Sequence, residues 1–169
     1  MVTAGSERLE RDAWEALRNV MDPEIPVVSI VDMGMVQSVR VDDAGNATVV
    51  VLPTFTGCPA IPVIRQDVGT AIAALRGIRS VDVELSFEPS WTSDRITDEG
   101  RRLLNDFGLA PPSGDAPVLI TEIGLPRVAI CPFCGSEDSM SENMFGPTPC
   151  RALYYCNGCR NPFEQFKPV

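Results

Sequence analysis

The chain has 169 residues, enough for one ordinary domain and a small appendage but not for two full domains. At 44% hydrophobic and 22% charged residues, its composition is that of a soluble globular protein. A net charge of −9 opposes nucleic-acid or anionic membrane binding, no apolar run reaches the ~20 residues of a membrane span, and the lack of histidine removes the commonest general base.

The first eight residues hold no apolar leader core, so the expected location is cytoplasmic, where thiols stay reduced. Ser6 is placed to cap a helix running to about Met21, with Leu9, Ala13, Trp14, Leu17 and Val20 on one side. Asp22-Pro23 breaks it, and residues 22–34 carry too many breakers for a long regular element, so they read as an ordered loop. Val36 to Val41 and Ala47 to Leu52 read as strands around an Asp42–Asn46 turn, a hairpin. A helix follows from about Pro59 to Arg76, its apolar positions Ile61, Ile64, Val68, Ile72 and Leu75 stepping by three or four. Val81, Val83, Leu85 and Phe87 then alternate with polar residues as a third strand. The order α-β-β-α-β predicts a small α+β domain over residues 1–92, with its helices packed on one sheet.

Over residues 93–117, Thr97 is placed to cap a short helix that Gly108 stops, and residues 109–117 read as a Pro-rich linker. Val118–Ile120 and Arg127–Ile130 lead into a cysteine-rich domain over residues 118–169. It pairs Cys131 with Cys134 and, after twenty-one intervening residues, Cys156 with Cys159. Each CxxC makes a tight knuckle, and two knuckles supply four thiolates to a tetrahedral metal. All-cysteine sites are normally closed and structural, so a zinc ribbon is expected; an iron site or a cluster fits the same spacing. From residue 131 onward there are four acids and only three bases, Arg151, Arg160 and Lys167, so the ribbon is not a nucleic-acid module. Cys150 falls outside the paired spacing, as an additional ligand or as a small buried residue.

Cys58 stands between a strand and a helix in Thr54-Phe55-Thr56-Gly57-Cys58-Pro59-Ala60. With Pro59 at the first helical position, backbone N–H groups and the helix dipole would favour its thiolate, and Thr54 and Thr56 can add hydroxyl donors. Simple packing at the junction is the competing reading. Asp22, Glu24 and Asp32 can bring oxygen ligands if their loop folds over Cys58. No Ser-His-Asp, Cys-His or phosphate-cradling glycine motif is present.

The segments Asp22-Pro23-Glu24-Ile25-Pro26, Val28–Gly34 and Thr54–Pro59 resemble a small α+β family tied to iron–sulfur cluster assembly. With Thr97–Leu104, Phe107–Pro112 and the terminal ribbon, nearly the whole chain resembles the D-subunit family of the phenylacetyl-CoA epoxidase system. The resemblance implies a non-catalytic accessory or maturation factor working with oxygenase and reductase components. It implies a structural zinc, and a transient iron–sulfur cluster handled by Cys58. It places Asp22 in the signature loop, and Cys150 fits the D-subunit pattern. One cysteine cannot complete a cluster's shell of four ligands, so a homodimer or a client protein would supply the rest. The alternative is a purely structural subunit of the oxygenase complex, indifferent to Cys58.

Overall fold

Valine alternation sets up the first sheet. Strand β3 (Val36–Val41) pairs antiparallel with β4 (Asn46–Val51), and β5 (Ser80–Leu85) joins β4 in parallel, giving the order β3-β4-β5. Ala47, Val49 and Val51 of β4 are buried at every second position. Strand β3 buries Val36, Val39 and Val41, which do not share one parity. A register shift between Val36 and Ser38 resolves this, because a bulge returns Val36 to the buried face. Helices α1 (Ala4–Leu17) and α2 (Ile61–Ala73) pack on each other, α1 also on β3 and α2 on β5. From α1, Ala13 and Leu17 are buried; from α2, Ile64, Val68 and Ile72 are.

The computed structural model describes residues 4–112 and 129–168. It forms two compact units: Met1–Trp91 with Arg95–Thr97, and Thr92–Asp94 with Asp98–Val169. None of the helices among the described residues is long and apolar enough to cross a membrane.

The first unit departs from expectation in several boundaries, and Ser6 lies inside α1 rather than capping it. Helix α1 ends at Leu17 rather than Met21, because Met21 enters a short hairpin of β1 (Met21–Asp22) and β2 (Ile25–Ser29). Asp22 Oδ1 builds its turn, accepting the N–H groups of Glu24 (2.7 Å) and Ile25 (3.2 Å). Residues 22–34 are therefore partly a strand pair, since an aspartate satisfying two backbone donors replaces the missing regular bonds. Helix α2 begins at Ile61, with Ala60 at the N-cap, rather than at Pro59.

The second unit carries α3 (Asp98–Asp106) and a four-stranded sheet in the order β6-β9-β8-β7. Strands β7 (Ser139–Asn143), β8 (Arg151–Cys156) and β9 (Pro162–Phe166) form an antiparallel meander. Strand β6 (Leu109–Ala110), expected as the start of a linker, instead pairs in parallel with β9. Both residues are almost fully buried, and leaving them in a free linker would expose that apolar surface. Gln165 Nε2 and Arg101 Nη1 then donate to the carbonyls of Pro111 and Pro112. The rest of the expected linker, residues 113–117, and the Val118–Ile120 segment lie outside the described residues.

Candidate metal centre

The two CxxC knuckles are built alike. In the first, the Cys131 N–H donates to Ser136 O (3.0 Å) and the Gly135 N–H to Cys131 O (2.8 Å). In the second, the Cys156 N–H donates to Asn161 O (3.0 Å) and the Arg160 N–H to Cys156 O (2.8 Å). Each knuckle closes through a left-handed residue, Gly135 at φ 73° and Arg160 at φ 62°. Strand β8 delivers Cys156 to the second knuckle, on the same buried face as Ala152 and Tyr154. Beside that face Tyr154 stacks on Phe163 at 5.6 Å.

All four sulfurs lie within 4.8 Å of one another. Two close approaches cross between knuckles: Cys131 to Cys159 at 3.7 Å and Cys134 to Cys156 at 3.6 Å. A tetrahedron with metal–sulfur bonds of about 2.3 Å has edges of about 3.8 Å, so the donor set suits a tetrahedral thiolate metal. Cys131 and Cys156 are buried, Cys159 is half-buried and Cys134 is exposed. Burial raises the Cys131 pKa against the N–H donors of Phe133 and Cys134. At Cys134 the Ser136 N–H favours the thiolate, but desolvation and hydrogen bonds to the neighbouring sulfurs prevail, and its pKa is pushed up to about 12. Burial opposes ionisation of Cys159 too, yet Asn161 donors and the Cys131 and Cys134 thiols bring it down to about 7. The sulfurs thus compete for protons, and a dication that replaces those protons relieves the competition.

Cys150 is not among the four: its sulfur lies 3.1 Å from Thr148 Oγ1, and its carbonyl accepts the Lys167 N–H. Cys58 is half-buried on the turn between β4 and α2. Its carbonyl accepts the Ile61 N–H (3.3 Å) and its own N–H donates to Phe55 O (3.3 Å). It therefore stands two residues before the N-cap of α2, not at the cap. Thr54 is buried and Thr56 exposed. Among the described residues, Cys58, Asp22, Glu24 and Asp32 belong to no cluster of three or more metal-ligating side chains. Asp32 accepts from Ser29 Oγ of its own loop (2.6 Å) and from Thr97 Oγ1, just before α3 (3.1 Å).

Sequence reasoning missed the strap that holds this loop. Trp91 Nε1 donates to Met33 O (2.8 Å) and Arg95 Nε to Gly34 O (2.8 Å). The one signal was a tryptophan in a polar stretch, which is nevertheless only 2% exposed.

Residues 10–85 match the family of iron–sulfur cluster assembly proteins, and residues 115–167 match the PaaD zinc beta ribbon domain. Over 94% of its length the chain is 38% identical to 92% of an Escherichia coli protein that is named as a 1,2-phenylacetyl-CoA epoxidase component of the D type. It is 38% identical to a Porphyromonas gingivalis "Fe-S protein maturation auxiliary factor" over 53% of this chain and 85% of that protein. A crystal structure of a domain of unknown function from Bacillus anthracis matches with a TM-score of 0.56 and 28% identity, covering 59% of this chain and 94% of that one.

Proposed function

The chain belongs to the D-type family of phenylacetyl-CoA epoxidase components, and from that premise we propose that it is a non-catalytic maturation factor for a multicomponent epoxidase. Its first unit handles an iron–sulfur cluster as cargo, and Cys58 is the ligand it contributes. The ribbon is held by one structural zinc on Cys131, Cys134, Cys156 and Cys159, which neutralises the thiolates and folds a segment too small for a core of its own. The folded ribbon then serves as a docking module for the oxygenase and reductase components. A role that depends on a reduced thiol fits the cytoplasm.

The observation that carries this reading is the placement of Cys58. It is half-buried on a turn, within the stretch that matches the cluster-assembly family, and outside the four-sulfur cluster. A single thiolate cannot saturate a cluster, so the remaining ligands come from a second copy or from the client. Such a partial site suits a carrier, because an incomplete shell releases its cargo to a complete one.

Metal and sulfide analysis of anaerobically purified chain, wild type against Cys58→Ser, tests it. One zinc per chain in both, with iron and sulfide in the wild type alone, is the expected result. Zinc in both with no iron even after cluster reconstitution would overturn the carrier role and leave a structural component of the complex.

A further inference from the structure

Beside the first knuckle lies a cavity of about 270 Å³ walled by Phe107, Phe133 and Phe163, with the Arg151–Glu164 ion pair in its lining. We propose that it receives one arginine side chain of a partner protein; this rests on reading the ribbon as a docking module and names what it grips.

Size argues for a side chain. The cavity falls below the range of about 300–1,000 Å³ typical of small-molecule and cofactor sites. Two of its rings are unusually open for phenylalanine, Phe107 at 47% and Phe133 at 57% exposure, while Phe163 is buried at 4%. An open rim of rings around a small hole is the form of an anchor site at a protein interface.

Charge selects a cation. Glu164 Oε2 accepts from Arg151 Nη1 at 2.9 Å, but a carboxylate has two oxygens and several lone pairs, so one guanidinium does not saturate it. The Glu164 side chain is 29% exposed against 13% for Arg151, so the anion is the more accessible half of the pair. Phe107 and Gly108, both in the lining, directly follow α3, whose last turn has no basic residue. The carbonyl end of a helix carries partial negative charge and favours a cation. The chain as a whole bears −9, which repels an acidic partner segment.

Shape selects arginine over lysine. A guanidinium is planar, stacks on aromatic faces and bonds a carboxylate through two N–H groups at once, whereas an ammonium is a strongly hydrated point charge.

The test is a titration of ¹⁵N-labelled full chain, isolated with its metal bound, with the doubly capped tripeptide Gly-Arg-Gly. Capped Gly-Lys-Gly, Gly-Phe-Gly and Gly-Glu-Gly are the comparators. Saturable NMR shifts at Phe107, Phe133 and Glu164 are expected, with at least fivefold tighter binding of the arginine peptide than of the lysine one. Glu164→Gln should weaken it at least tenfold. Because that change also disturbs Arg151, Phe107→Ala, at an exposed position, serves as the second variant and should weaken it at least threefold. No saturable shift, binding of the phenylalanine or glutamate peptide as tight as that of arginine, or unchanged affinity in both variants would overturn the proposal. Co-elution of the epoxidase components with the chain is read separately. If it persists while the peptide fails to bind, the pocket assignment falls and docking stands; if the peptide binds and no component co-elutes, docking falls and the arginine site stands.

Discussion

Gly135 and Arg160 hold equivalent places in the two knuckles: each directly follows its second cysteine, each is left-handed, and each donates its N–H to the first cysteine's carbonyl at 2.8 Å. Glycine adopts that backbone freely, while an L side chain pays about 1 kcal/mol for it. Arg160→Gly should therefore stabilise the metal-loaded ribbon by about 1 kcal/mol, and Gly135→Ala should destabilise it by a similar amount. A Cβ at Gly135 meets nothing within 4 Å, so its cost would be conformational rather than steric. Resistance to a competing chelator in denaturant measures both.

Metal removal should act on one unit only. The chain has two tyrosines, Tyr154 and Tyr155, both in the ribbon, and two tryptophans, Trp14 and Trp91, both in the first unit. Chelation should erase the near-ultraviolet dichroism of the tyrosines, because the Tyr154–Phe163 stack loses the site that organises it. Tryptophan emission should stay unchanged. A shift in that emission would show that the metal also supports the first unit.

Asp22 separates structure from chemistry. Its Oδ1 satisfies two backbone N–H groups, so Asp22→Ala should cost about 1–2 kcal/mol in urea unfolding. Asp22→Asn keeps an acceptor oxygen and should lose less than half of that. If Asp22 also serves the cluster, the asparagine variant will keep its stability and take up less iron in reconstitution.

The loop at Gly34 should be intolerant of any side chain. Its φ is 65°, and a Cβ there would collide with the Arg95 carbonyl oxygen, a backbone atom that cannot swing away. Gly34→Ala should cost at least about 2 kcal/mol. Trp91→Phe, which removes the donor to Met33 O, should cost about 1–3 kcal/mol. Both are read by thermal unfolding followed by tryptophan emission, which in Trp91→Phe comes from Trp14 alone.

The sequence alone determined what local spacing can determine. Two residues between cysteines force a knuckle, and alternating valines or a three-to-four step force a strand or a helix with one apolar side, because these are geometric consequences of neighbouring dihedrals. The four ribbon cysteines, the β3–β4 hairpin, α2 and β5 were legible for that reason. Which surfaces meet was decided only in the tertiary structure. Leu109 and Ala110 read as linker because two residues carry no period, and their partner strand lies more than fifty residues away. Cys58 read as lying at or just before the helix cap, but the turn through Phe55 and Ile61 puts the N-cap at Ala60, two residues on. Trp91 and Arg95 became the strap of the Gly34 loop, and Phe107 met Phe133 around one cavity, through contacts that no periodicity encodes. An apolar or hydrogen-bonding group announces in sequence that it needs a partner; chain topology decides which one it finds.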